Sequence, residues 1–314
     1  MNRDDLLAII RPILECPTAP TFETAVRTEI ENQLKKIRGL RLQVDSFGNL
    51  IAWFGDGLQN ARYAFVAHMD HPGWELKPVR RFLGGVPEVL RDKCAIRDFG
   101  NFGMWDLPAL QVDGSRLYSR ACDDLVGCAA IVATLKILAE ENSSSPVVAV
   151  FTRAEEVGFI GAIRFVKSRM LASDTVLISL ETSAERLPAK MGDGPIIRVG
   201  DRVSVFDPAV TDWFARLAEK HKIRFQRCLM AGGTCEATAF QLYGYRAAAL
   251  CIALGNYHNC TPDGRIDTEF VDLDDFEGLV RFCQTIARED GTAEQARDDL
   301  RKRLEARLDE FPLG

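Results

Sequence analysis

Val147-Val148-Ala149-Val150-Phe151-Thr152-Arg153-Ala154-Glu155-Glu156-Val157-Gly158 is the stretch on which the reading of this chain turns. Val147–Phe151 is an apolar run of the residue types that fill a buried strand, and a glycine-containing helix start follows the two acids. Two adjacent carboxylates at that junction cannot both face water and leave the strand buried. Neighbouring side chains diverge, so one can hold a metal ion while the other reaches a water beside it.

Other strands end in the same manner. Tyr63–His68 closes on His68, Val176–Leu180 closes just before Glu181, and a short loop after Ala247–Leu254 carries His258. Ligands of open α/β sheets bind beyond the carboxyl ends of the strands. Four separate strands thus deliver metal-type side chains to one edge. Helical stretches lie between them: Asp124–Glu140, Gly158–Arg169, Thr234–Leu242, Leu273–Arg288, and a helix to Lys220 with Asp207 as cap and Pro208 at its first position. Apolar strands alternating with helices predict an α/β fold whose mostly parallel sheet is covered by helices on both faces.

At the N-terminal side, Leu6, Leu7, Ile10 and Leu14 predict a helix capped by Asp4 or Asp5, and Phe22–Ile37 a second. Leu40–Val44 and Leu50–Phe54 flank Asp45-Ser46-Phe47-Gly48-Asn49 and read as a β-hairpin. Residues 72–117 break the alternation with Pro72, Pro78, Gly84-Gly85, Pro87, Gly100, Gly103 and Pro108 among short β-prone pieces. They are expected to form a small β insertion, leaving 1–71 and 118–314 as the catalytic body. In the charged tail from Thr292, Ala296, Leu300, Leu304 and Leu308 share one face and predict an amphipathic helix docked on the body.

The formal charge of -6 offers no basic surface to nucleic acid or anionic lipid. With 47% hydrophobic and 27% charged residues, the composition is that of a globular protein. The nine cysteines are scattered, odd in number and without a C-x-x-C pair, which points away from a disulfide framework and toward a reducing compartment. The first residues, Met1-Asn2-Arg3-Asp4-Asp5, are unlike a signal peptide, and no apolar stretch approaches the ~18 residues of a membrane span. A cytoplasmic location is expected.

His68-Met69-Asp70 puts two side chains on the same side of a strand end, where Asp70 can orient the imidazole. In Cys122-Asp123-Asp124-Leu125, one Asp suffices to cap the helix. Asp124 reads as that cap, and Asp123 as a carboxylate able to bridge two cations. Glu155 is the candidate general base, activating a water and then protonating the leaving amine, and Glu156 a metal ligand. Of the other histidines, His221 sits at a polar helix end, and His71 falls on the opposite strand face and stays unassigned. Gly-x-Ser-x-Gly is absent. Gly232-Gly233-Thr234 opens a helix and serves either as a tight turn or as a seat for a substrate anion or carbonyl.

Taken together, His68-Met69-Asp70, Asp123-Asp124, Glu155-Glu156-Val157-Gly158 with Gly161-Ala162, Gly232-Gly233-Thr234 and Tyr257-His258 resemble the co-catalytic zinc exopeptidases, in particular the tetrahedral, glutamyl-aminopeptidase family. The resemblance spans about residues 60–265. It implies that His68, Asp123 and Glu181 bind one metal and Asp123, Glu156 and His258 another, with Glu155 as base and Asp70 orienting His68. It also implies two divalent ions, zinc or else cobalt or manganese, N-terminal trimming of peptides, and assembly into homo-oligomers. Four features depart from the family pattern: Glu181 replaces Asp, Leu125 replaces Arg, His71 replaces Glu, and the insertion is about half the usual size. In related hydrolases, Glu at position 181 accompanies carboxypeptidases and deacylases. An aminopeptidase is therefore the leading expectation, an N-acyl-amino-acid deacylase or carboxypeptidase-like hydrolase the second, and an inactive metal-binding homologue the third.

Overall fold

The computed structural model describes residues 1–143 and 145–308. The chain opens with α1 (Arg3–Glu15), α2 (Thr24–Leu34) and the hairpin β1 (Leu40–Val44) and β2 (Leu50–Phe54), then α3 (Gly57–Asn60) and β3 (Tyr63–His68). Short elements follow: β4 (Gly73–Glu75), β5 (Arg81–Leu83), α4 (Glu88–Arg91), β6 (Ile96–Asp98), β7 (Phe102–Trp105), β8 (Gln111–Asp113) and β9 (Arg116–Ser119). Next come α5 (Leu125–Glu140), β10 (Val147–Thr152), α6 (Ile160–Ser168), β11 (Val176–Ala184) and β12 (Ile196–Gly200). The remainder is α7 (Pro208–Lys220), β13 (Gln226–Leu229), α8 (Glu236–Leu242), β14 (Arg246–Leu254), β15 (Glu269–Asp272), α9 (Leu273–Arg288) and α10 (Ala293–Glu305).

The main sheet has the order β1-β2-β10-β3-β11-β14-β12-β13, and its central strands β10, β3, β11 and β14 are parallel. Side chains alternate across it. Phe65, Ala149, Phe151, Ile178 and Leu250 pack toward α1, α5 and α9, while Val66, Val148, Val150, Leu177 and Ala249 pack toward α6 and α8. Burial on both faces is why these strands read as continuous apolar runs. The expected α/β class is the one observed. Strands β4–β7 form a separate sheet of order β5-β4-β7-β6 around Trp74, Phe82 and Trp105, and β8–β9 extend to β15. Among the described residues no helix is long and apolar enough to cross a membrane, and all nine cysteines are free.

Several boundaries differ from expectation for identifiable reasons. Asn2, not Asp4 or Asp5, caps α1, because Asn2 and Asp5 close a reciprocal capping box. The helix expected from Phe22 begins only at Thr24, since Thr21 is left-handed (φ 74°) and the Glu23 side chain is drawn to Arg153. Strand β11 runs through Glu181 to Ala184, paired throughout with β14, so Glu181 is within a strand and not at its end. In α10, Ala293 and Ala296 are buried against the body, but Leu304 and Leu308 stand 56% and 68% exposed, so the expected apolar stripe docks only at its first turn.

Candidate metal centre

Thr152 lies opposite His68 in the β10–β3 ladder, so the turn after β10 opens directly over the end of β3. That turn is tied down from every side. Arg153 N donates to Asn49 Oδ1 (3.0 Å), Ala154 N to Glu23 Oε1 (3.0 Å), Glu155 N to Asp70 Oδ1 (2.9 Å) and Glu156 N to Asp70 Oδ2 (3.1 Å). Glu23 is itself paired with Arg153 at 2.7 Å. Ala154 and Phe159 are left-handed (φ 55° and 58°), a conformation that residues with a Cβ hold only where their surroundings fix it. Gly161 is needed for the same packing, because a Cβ there would lie 2.4 Å from the Arg153 carbonyl oxygen.

The candidate residues converge. Asp123 directs Oδ1 toward His68 Nε2 (3.4 Å) and Oδ2 toward His258 Nε2 (3.6 Å). Glu156 Oε1 is 3.0 Å from His258 Nε2, and Glu155 Oε2 is 4.0 Å from His68 Nε2. His68, Asp123 and Glu181 offer ligand atoms within 4.8 Å of one another, as do Asp123, Glu156 and His258, and also His68, Glu155 and Glu156. The Glu181 carboxylate accepts the Ser179 hydroxyl at 2.7 Å and still reaches the first of these groups.

Asp70 behaves differently from the expected pairing. His68 Nδ1 faces the Asp70 main-chain oxygen at 3.0 Å, while the nearest carboxylate oxygen is 3.6 Å away. The main chain thus orients the imidazole, and the carboxylate organises the Glu155–Glu156 turn.

Among the described residues, buried Asp123 Oδ1 and Glu156 Oε1 approach imidazole nitrogens but form no hydrogen bond of good geometry. Such atoms are costly unless a cation or water satisfies them. Imidazole nitrogens with carboxylate oxygens form a donor set suited to zinc, cobalt or manganese. The electrostatics agree. Burial opposes protonation of His68, yet Glu155, Asp123 and Asp70 outweigh it and hold the imidazole well above its usual range. His258, beside Glu156 and Asp123, is raised in the same way. Burial, then crowding by Glu156 and Glu181 against the opposing pull of His68, pushes Glu155 well up. Burial also works to raise Asp123, but the pull of the neighbouring His258 and His68 imidazoles prevails and lowers it.

A cavity of 510 Å³ opens on this cluster and is also lined by Arg186, Arg198, Arg202 and the Gly232-Gly233-Thr234 turn. Arg198 is only 4% exposed; its Nη1 donates to Ser183 Oγ (3.1 Å) and its Nε has no partner. Among the described residues no carboxylate lies within 4.0 Å of the Arg198 guanidinium. Glu269 and Glu23 are not legible in the sequence because each acts through a partner far away in the chain, and Arg198 and Glu236 because only folding buries them beside the cluster.

Glu236 yields a prediction for the metal-free protein. Burial, outweighing the opposing pull of His68, pushes it up to about 8 from 4.5. The folded state therefore binds a proton that the unfolded chain has released, and stability falls as pH rises through this window. The thermal midpoint of the metal-free protein is expected to decline between pH 5 and pH 8, and Glu236→Gln to flatten that decline. An unchanged slope in the variant would remove Glu236 as its cause.

The family described as M42 glutamyl aminopeptidase matches residues 92–282. A curated protein of Acetivibrio thermocellus, named "Putative aminopeptidase", is 30% identical over 128 residues, covering 39% of this chain and 38% of that protein. The chain therefore matches well under half the length of this curated relative. An aminopeptidase from the archaeon Desulfurococcus kamchatkensis shares the fold, with a TM-score of 0.79, 20% identity, and coverage of 94% of this chain and 98% of that one. So does the TET1 peptidase of Pyrococcus horikoshii, which can assemble into a tetrahedron or a large octahedral shell (TM-score 0.77, 22% identity, 90% and 99% coverage).

Proposed function

The chain belongs to the M42 glutamyl aminopeptidase family, and from that premise we propose that it is a metal-dependent aminopeptidase that hydrolyses the N-terminal bond of peptides. The observation that carries this reading is the Asp123 carboxylate, which presents one oxygen to each of the two imidazoles. His68, Asp123 and Glu181 would hold one divalent cation, and Asp123, Glu156 and His258 a second. Zinc is the ion proposed, and the same donors also suit cobalt and manganese. When bound, such a pair supplies Lewis acidity for the scissile carbonyl and for a water.

Glu155 takes a proton from the attacking water and delivers it to the leaving nitrogen, so that the C–N bond breaks as an amine is released. Its burial favours that role by making the carboxylate a stronger base. Asp70 fixes its position through the main chain. The surrounding carboxylates suit a free α-amine at the substrate's N-terminus. Arg198, buried without an ion pair, together with Arg186 and Arg202, favours an acidic residue in the same cavity.

The test is turnover of matched peptides after zinc, cobalt or manganese loading. Peptides with free N-termini are expected to be trimmed stepwise and acetylated ones left intact. N-terminal Glu is expected to be preferred over Gln, and Arg198→Gln to erase that preference. Cleavage of blocked substrates alone would overturn the aminopeptidase reading and favour the deacylase associated with Glu at position 181. We extend homo-oligomerisation to this chain as well, with residues 72–117 as an insertion on the catalytic body; light scattering giving a single chain mass would refute the oligomer.

A further inference from the structure

His71, which departs from the family pattern, is completely buried directly behind the candidate metal centre. Its Nδ1 lies 2.7 Å from the main-chain oxygen of Asp123, and its Nε2 lies 2.9 Å from Asn259 Oδ1. The Asn259 amide nitrogen donates to the Asp267 carbonyl at 3.1 Å, which fixes its oxygen toward the ring. Glu269, also fully buried, makes the complementary set of contacts. Its Oε2 accepts from Cys122 N (2.7 Å) and Asp123 N (3.1 Å), and its Oε1 accepts from His258 N (2.8 Å). The same carboxylate stands 3.9 Å from His71 Nδ1.

Three side chains therefore tie residues 122–123 to residues 258–259. The loop they hold is strained: Asn256, His258 and Asn259 are all left-handed, with φ of 53°, 54° and 60°. Asparagine visits that region readily, but His258 keeps it only where its neighbours over-determine it. None of the hydrogen bonds in this group goes to His68, Glu156 or Glu181. Two donors of one candidate cation position, Asp123 and His258, are thus spaced by a device that leaves His68 and Glu181 alone.

We propose that His71, Glu269 and Asn259 are positioning residues that set the separation of Asp123 from His258 and thereby make the Asp123–Glu156–His258 position competent to hold its cation. The proposal rests on the metal-dependent reading above and adds a selective consequence to it. Loosening the brace weakens the Asp123–Glu156–His258 position more than the other, because His68 and Glu181, two of the three donors there, are held within strands β3 and β11 and outside the brace.

The test is calorimetric titration of the metal-free protein with zinc chloride, alongside its thermal unfolding midpoint. Glu269→Gln is nearly isosteric but turns one acceptor oxygen into an amide donor facing main-chain N–H groups. His71→Gln removes the ring that spans Asp123 and Asn259. The parent is expected to bind two zinc ions per chain. Each variant is expected to keep one at close to parental affinity and to bind the other at least tenfold more weakly, with a metal-free midpoint within a few degrees of the parent. Two parental-affinity ions in both variants would overturn the brace, as would equal weakening of both ions with a collapsed midpoint. A parent that takes up no zinc would overturn the metal reading itself, and the brace with it.

Discussion

Glu155→Gln is expected to lower kcat by about three orders of magnitude while KM and zinc uptake stay near those of the parent. A positioned general base contributes roughly 10²–10⁴-fold to rate. Glutamine keeps the shape of the side chain and its main-chain hydrogen bond to Asp70 but accepts no proton at neutral pH. The 4.0 Å between Glu155 Oε2 and His68 Nε2 leaves a second role open to measurement, since Glu155 also forms a ligand-like group with His68 and Glu156. Parental kcat in the variant would end the base assignment. Loss of one zinc ion along with activity would make Glu155 a ligand. Retained zinc with lost turnover is the signature of a base, and it also excludes the reading of this protein as an inactive metal-binding homologue.

The elements legible in the sequence were those whose signal is local. The hairpin of β1 and β2, strand β3, and helices α7 and α9 occupy the residues expected of them, because alternation, a buried apolar run, an Asp-Pro cap and an amphipathic period each report on one segment alone. The polar Glu181-Thr182-Ser183 read as a strand end, yet pairing with β14 carries β11 through it. Leu304 and Leu308 have the helical period of a buried face, but among the described residues they stay mostly exposed.

The candidate site divides along the same line. His68, Asp123, Glu155, Glu156, Glu181 and His258 could be named because each follows or ends an apolar run or caps a helix. Their supports could not. Glu269 lies well over a hundred residues from Asp123 in sequence, and Glu23 is equally remote from Ala154. Both look like ordinary surface acids until the chain is folded. His71 points away from the strand face of His68, and it is that direction which carries it to the main chain of Asp123. Asp70 was legible as a residue of the site, while its principal contact, the main chain of the Glu155–Glu156 turn, was not.

Asp123→Asn is expected to abolish measurable turnover and high-affinity binding of both cations together, which no other single substitution in the cluster should do. Asp123 is the only residue common to the His68–Asp123–Glu181 and Asp123–Glu156–His258 groups. Asparagine leaves one oxygen where two faced the imidazoles and places an amide nitrogen, which cannot ligate a cation, at the other position. The loss should therefore exceed the roughly 10–100-fold that removing an outer hydrogen-bond partner costs in metal affinity or activity. The fold itself should survive, because Asp123 is held by its main chain, through Glu269 and His71. Asp124→Asn is the matched control one residue on. Asp124 caps α5 through Gly127 N at 3.2 Å, and asparagine caps a helix about as well as aspartate. That variant should bind both ions. Zinc stoichiometry and kcat/KM measured on the pair decide the matter: Asp123→Asn retaining two ions would rule out a bridging carboxylate, and Asp124→Asn losing them would move the bridge to its neighbour.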